Sequence, residues 1–423
     1  MSPDSQNLSP QIESLHKLLK LARDAKASDI HIKPGKAPVV RVNGQLLEVD
    51  GFNKLTSQDV NTYARDMMTP KQVDHFQNNF EVDLAYSVPG VGRFRANIFR
   101  QRGSVSIALR AISTEVKSIR ELQLPPVIEK IAGEKRGLTL VTGATGSGKS
   151  TTLAGIVDHI NTSIPAHIIT IEDPIEYLIR DKKSIVAQRE VGLDTKSFLS
   201  AIRGAMRQDP DVILVGELRD EETIKTALMA AETGHMVLGT LHTTDVMETI
   251  SRILSFFEGG MAQQIRDALA TCIKSIMCQR LIKRCDRPGR IPAVEIMVQT
   301  SHISELIKDP RRTPEIRDAM AQGYSSYGMQ TFDMSLMKLV MEKKIAYAEA
   351  LENCSNPIDF SLKFKGVSST SDADMAEFHR NQPAAGKRPA GSKQRPAPAQ
   401  RMSPGQKKPP PQEDMVIERL DKS

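Results

Sequence analysis

The chain contains no tryptophan, and phenylalanine and tyrosine together make up only 4% of it. A core without aromatic bulk has to be filled by aliphatic side chains and by the 18 methionines. Long hydrophobic runs are missing too: none approaches the ~18 residues with which a helix spans a bilayer. The opening segment MSPDSQNLSP is polar, without a basic stretch leading into an apolar one, so no secretory signal is expected. Together these absences predict a cytosolic protein. Cysteine is scarce as well. The four cysteines, Cys272, Cys278, Cys285 and Cys354, show no CxxC spacing. Three lie in or beside TCIKSIMCQRLIKRC, which reads as a helix-like stretch, and buried free thiols are expected there rather than zinc or disulfides.

A large charge surplus is also lacking. The net charge is +6, and residues 367–423 carry ten Lys/Arg against seven Asp/Glu. The remaining body, with 47 against 44, is nearly neutral. That argues against a body built to bind duplex nucleic acid, for which a basic domain is expected.

At 423 residues the chain is long enough for two domains of ordinary size. Residues 1–115 mix a first helix, ESLHKLLKLARDA, with several short strands. APVVRVNGQLLEV reads as a hairpin turning at Asn43-Gly44, and RFRANIFRQRGSVSIALRAI as two strands around Arg102-Gly103-Ser104. Residues 116–135 contain LQLPPVIEKIA, whose Pro125-Pro126 suits a linker or a helix start. From residue 136 to 366, apolar strands (GLTLVTG, HIITIED, DVILVGE, MVLGTLH) alternate with helices, and the later part reads as mostly helical. Such alternation predicts an α/β fold with a parallel sheet covered by helices on both faces. Residues 367–423 form a low-complexity tail. Its segment 381–411 has eight prolines, seven Lys/Arg and no acid, a composition expected to stay disordered. The final QEDMVIERLDKS regains Met415, Val416, Ile417 and Leu420, either a short docking helix or residual hydrophobicity.

What the sequence does have is a phosphate loop. GATGSGKS, Gly143 to Ser150, fits G-x-x-x-x-G-K-[ST] and lies between the strand LTLVT and a helix starting TTLAGIVDHI. Gly146 and Gly148 let backbone amides curl round phosphates, Lys149 reaches the β- and γ-phosphates, and the Ser150 hydroxyl ligates Mg²⁺. The positive end of the helix adds to the anion site. The candidate nucleotide-binding set is Gly143, Ala144, Thr145, Gly146, Ser147, Gly148, Lys149, Ser150 and Thr151, with ATP and Mg²⁺ as the expected ligands.

Ligands of an open parallel sheet sit at the carboxyl ends of its strands. HIITIEDPIEY ends on Glu172, Asp173 and Glu176, DVILVGELRD on Glu217, and MVLGTLHTT on His242. One carboxylate is needed to polarise water and one to hold the metal shell. Glu176 and Glu217 are the candidates, Glu217 also as a Mg²⁺ ligand with Ser150. Glu172 and Asp173 are expected to cap or to help at the metal, although Asp173-Pro174 is also a plain turn initiator. The usual acidic position before Glu217 is occupied by Gly216, so the metal shell must be arranged differently from a common P-loop ATPase. His235 and His242 bracket one strand, roughly 23 Å apart at ~3.3 Å per residue, and cannot share a metal. His242 falls on the nucleotide side, positioned to meet a γ-phosphate. His235 falls on the opposite rim and reads as structural or at an interface.

With these residues in hand, the sequence resembles the type II and type IV secretion ATPase superfamily. Its pattern is similar to the type IV pilus retraction (twitching-motility PilT) branch. ASDIHIKPGKAPVVRVNGQL, the phosphate loop, ITIEDPIEY, the GE strand and AETGHMVLGTLHT follow in family order, and matching segments run from about residue 10 to 365. The resemblance implies a PAS-like N-terminal domain over 1–115, a linker at 116–135, a RecA-like ATPase domain over 136–366 and a homohexameric ring. It implies a Mg-ATP-hydrolysing motor for pilus retraction, cytoplasmic and peripheral at the inner membrane of a bacterium. Its partners would be an inner-membrane pilus platform protein and related pilus ATPases. Arginines of the N-terminal domain would contact the phosphates, here Arg93, Arg95 and Arg110; alternating arginines on RFRANIFRQR also fit a solvated strand face. Arg203 and Arg207 match too, their spacing expected to put them on one helix face.

Some features depart from that branch. SHISELIKDP keeps only the helical apolar pattern of its counterpart, whereas GMQTFDMSL matches. The CxxC insert of the assembly relatives is absent, and the basic tail has no counterpart in compact members. A PilU-like accessory retraction ATPase or a diverged secretion motor remains an alternative reading. A P-loop kinase would need an acceptor pocket and basic lid that are not apparent, and a nucleic-acid translocase is opposed by the near-neutral body.

Overall fold

The structure, a computed structural model, describes residues 10–366. The expectations for the tail from residue 367, including its docking helix, lie outside those residues. The first sheet is built from β1 (Asp29–Ile32), β2 (Val39–Val42), β3 (Gln45–Glu48), β4 (Glu81–Val88), β5 (Gly92–Gln101) and β6 (Ser104–Ala111). Their order is β3-β2-β1-β6-β5-β4, and every pairing is antiparallel. The hairpin turns fall where the sequence predicts, at Asn43-Gly44 and Arg102-Gly103. All four residues take positive φ, as two-residue loops matching the strand twist require. The helix Pro10–Asp24 presents Leu15, Leu18, Leu19 and Ala22, one helical stripe, to Ile30, Phe94, Ile98 and Leu109 of the sheet.

The second sheet carries the motifs. Its strands are β7 (Gly137–Thr142), β8 (His167–Glu172), β9 (Ile185–Glu190), β10 (Val212–Val215), β11 (Met236–Leu241), β12 (Ile273–Lys283) and β13 (Arg290–Val298). The order is β13-β12-β7-β11-β10-β8-β9, parallel except where β13 runs antiparallel to β12. Successive residues feed opposite cores: Val212 and Leu214 of β10 face one, Ile213 and Val215 the other. This explains the near-continuous apolar runs. Ile119, Leu124, Ile128 and Ile131, from the expected linker, are buried in one of these cores, and Val127–Ala132 is a short helix.

Three expectations need correction. TCIKSIMCQRLIKRC is not helical: the helix Gly259–Cys272 stops at its second residue, and Ile273–Lys283 is strand β12, so the later part is not uniformly helical. A short apolar run with β-branched Ile273, Ile276 and Ile282 is ambiguous by periodicity, and pairing with β7 and β13 decides it. The thiols are free, and Cys272 and Cys278 are buried, but Cys285 is exposed and Cys354 half-buried. Burial pushes the Cys272 thiol up to about 12 and Cys278 well above its usual range. Lastly, Arg207 lies beyond the end of the helix Phe198–Ala205, so Arg203 and Arg207 do not share a helix face. Arg203 instead approaches Glu222 at 3.6 Å.

Candidate functional site

The phosphate loop joins β7 to the helix Lys149–Ser163. Gly148 is the helix N-cap with φ +91°, and a Cβ there would lie 2.7 Å from Gln279 Nε2. At Gly143 a Cβ would lie 2.5 Å from the Gln279 carbonyl oxygen. Both glycines are therefore dictated by close approach as well as by backbone angle. Lys149 Nζ donates to the carbonyls of Gly143 (2.7 Å) and Ala144 (3.2 Å) and lies 3.4 Å from His242 Nδ1. Burial pulls the Lys149 ammonium below the usual lysine range, opposed by the charges of Glu217 and Glu176. The Thr151 hydroxyl meets that of Tyr177 at 2.8 Å. Ser147 Oγ is buried and has no hydrogen-bond partner among the described residues.

Around the loop opens a cavity of about 490 Å³, lined by Lys149, Ser150, Glu172, Glu176, Glu217 and His242 among others. Glu217 lies just past β10, where its two oxygens meet Arg219 Nε at 2.8 Å and His242 Nε2 at 3.4 Å. Gly216 is closely packed: a Cβ would sit 3.0 Å from the Ile171 carbonyl and 3.3 Å from the Glu172 Cα. A larger residue before Glu217 would have to displace these neighbours by a few tenths of an ångström. Glu172 ends β8 and accepts from Thr170 Oγ1 (2.7 Å) and Gln188 Nε2 (3.1 Å). Burial raises its pKa against those bonds. Glu176 lines the cavity from an exposed loop position. His235 lies at the other rim, its Nδ1 2.9 Å from the Ala230 carbonyl.

Of the sequence candidates, Thr145, Gly146, Gly148, Lys149, Ser150, Thr151 and the acids with His242 line this cavity. Gly143, Ala144 and Ser147 border a neighbouring one, lined also by Gln279 and Arg280. Arg93, Arg95 and Arg110 line neither cavity. Arg93 pairs with Glu190 of β9 at 3.1 Å, and Arg110 with Asp29 at 2.9 Å. Sequence reasoning missed Arg219, Tyr177 and Gln279. Arg219 follows Glu217 by two residues and carried a usable signal.

The loop after His242 is held from behind. The helix Val246–Leu254 starts four residues later, and the Val246 amide donates to the buried Glu295 carboxylate of β13 at 2.9 Å. Burial, with Asp245 adding to it, raises the Glu295 pKa to about 7, against the pull of Val246 N–H, Arg317 and Arg280. A carboxyl with a raised folded-state pKa contributes stability that is full at pH 4.5 and below and is lost as pH rises through 7. Glu295→Gln keeps an acceptor for Val246 without ionising. Its thermal midpoint is expected to match wild type near pH 4 and to exceed it at pH 8, by a stability gap approaching about 3 kcal/mol. Equal midpoints at pH 8 would contradict this.

Residues 4–354 match the model of the family described as type II/IV secretion system protein. The chain belongs to that family. It is 42% identical over 349 residues to the type IV pilus retractation ATPase PilT of Pseudomonas aeruginosa, covering 81% of this chain and 98% of that protein. With the type IV pilus ATPase PilU of the same organism it shares 38% over 358 residues, 85% of this chain and 93% of PilU. The fold is similar to the crystal structure of the pilus retraction motor PilT with bound ADP. The TM-score is 0.73 at 43% identity, over 81% of this chain and 97% of that one.

Proposed function

We propose that this family member hydrolyses Mg-ATP as a hexameric motor of a type IV pilus system, driving retraction and twitching motility. The observation that carries the reading is the meeting of Lys149, Glu217 and His242 at the carboxyl ends of adjacent strands, beside a glycine loop on a helix N-terminus. The retraction motors named above, alike along nearly their whole length, support the direction of work. The PilU relative supports a second reading, an accessory retraction ATPase.

In this proposal the triphosphate lies along the loop, with Lys149 turning from its own backbone carbonyls to the phosphate oxygens. Glu217 takes a proton from the attacking water as its oxygen bonds to the γ-phosphorus, and the β–γ bridging oxygen leaves with ADP. Arg219 and His242 hold the Glu217 carboxylate in place from either side, and His242 also faces the γ-phosphate. Glu176 supplies a second carboxylate, and Glu172, already bonded to Thr170 and Gln188, braces the strand end. The donors Ser150, Glu217 and Glu176 are all oxygens, which fits a hard cation sharing its shell with phosphates; Ser150 and a carboxylate would hold it. Magnesium, when bound, neutralises charge on the β- and γ-phosphates.

Residues 1–115 serve as the PAS-like front domain, 116–135 as its connection and 136–366 as the RecA-like ATPase domain. Arg93, Arg95 and Arg110 reach nucleotide only after a rearrangement or from a neighbouring subunit of the ring. A fork-shaped, permanently charged guanidinium suits that task. The motor works in the cytoplasm against an inner-membrane platform protein, together with related pilus ATPases. Among the described residues no helix is long and apolar enough to cross a membrane. Deleting the chain from its host tests the reading. Excess, immobile surface pili are expected, and bald cells would sink a retraction role.

A further inference from the structure

Behind the phosphate loop stands a polar side chain with no part in the chemistry proposed above. Gln279 on β12 is only 3% exposed, and both ends of its amide are used. Oε1 accepts from Thr152 Oγ1 at 2.7 Å, and Nε2 donates to the Ser147 carbonyl at 2.7 Å. One bond thus grips the loop itself, and the other the first turn of the helix that follows. The same residue meets the loop's first and last glycines, by its carbonyl at Gly143 and its amide at Gly148. Its orientation is set by the sheet, because the preceding Cys278 pairs in register with Thr142, the residue that leads into the loop.

We propose that Gln279 is a positioning residue that fixes the phosphate loop in its polyphosphate-binding shape before nucleotide arrives; the claim rests on the nucleotide-binding reading above. The loop amides bind phosphate only if they converge, and convergence forces the Ser147 carbonyl inward, away from water. Gln279 Nε2 satisfies that carbonyl. Without the donor, the unbound loop gains by relaxing toward solvent, and each binding event has to reverse that relaxation. The defect therefore falls on nucleotide affinity rather than on the chemical step. Removing a buried donor of this kind is expected to weaken binding roughly 10- to 100-fold.

The test uses the full chain, with ADP affinity by calorimetry as the main readout and steady-state ATP turnover in parallel. Gln279→Glu preserves size and the acceptor for Thr152, and measured at alkaline pH, where its carboxyl is ionised, it has no hydrogen to give Ser147. It should bind ADP roughly 10- to 100-fold more weakly and raise KM for ATP more than it lowers kcat. Gln279→Met, which removes both bonds, should do at least as much. Thr152→Val should show the same KM-weighted defect in milder form, with Thr152→Ser restoring affinity, and this pair carries the test where Gln279→Met does not fold. Wild-type ADP affinity in Gln279→Glu, or a loss confined to kcat, would overturn the proposal. Because ADP binding is read directly, the clamp can fail while the chain still hydrolyses ATP. Equally, turnover can be absent while the clamp holds.

Discussion

Lys149→Ala is expected to remove measurable ATP turnover and to weaken nucleotide binding at the same time. Its ammonium is held by the Gly143 and Ala144 carbonyls at 2.7 and 3.2 Å, so it is already pre-positioned at the mouth of the loop. Partial desolvation, which lowers its pKa, also strengthens its pull on an incoming phosphate. Among the described residues no other lysine lines the cavity, so none of them can substitute. A loss of at least on the order of 10²–10³-fold in kcat/KM follows from removing one fixed cation at a developing charge. Phosphate release assayed on purified, folded variant reads this directly, and near-normal turnover would refute the assignment of the site.

Glu217→Gln separates chemistry from binding. The amide keeps the size of the carboxylate and an oxygen for Arg219, but it cannot take a proton from water. Turnover is expected to fall roughly 10²–10⁴-fold, while ADP affinity stays close to wild type. Glu176→Gln is the companion measurement. If Glu176→Gln abolished turnover and Glu217→Gln spared it, the roles of the two carboxylates would be exchanged.

How much of this was legible before the structure depends on the range of each interaction. The phosphate loop, Glu217 and His242 were readable because strand, turn and chemistry lie within a dozen consecutive residues. The hairpins at Asn43-Gly44 and Arg102-Gly103 were local in the same way. β12 was not, since its identity is settled by β7 and β13 rather than by its own periodicity. Gln279 was hidden for the same reason: its two hydrogen-bond partners are 127 and 132 positions away. β9 escaped because an edge strand half open to solvent lacks the apolar run that marks its neighbours. The resemblance implies a phosphate contact for Arg93, and within this chain its partner is Glu190, 97 positions on, a pairing that no local pattern reveals.

The contacts of Tyr177 have a mechanical consequence. Its backbone bridges to Ser113, just past the last strand of the first sheet, and the Leu178 amide donates to the Ser113 carbonyl at 2.9 Å. Its hydroxyl touches Thr151, two residues after the loop lysine. Tyr177 thus links the segment after the first sheet, through its backbone, to the first turn of the helix behind the phosphate loop, through its hydroxyl. A displacement at Ser113 is thereby placed one residue's length from the helix that carries Lys149, alongside the second tie that Arg93 makes to Glu190.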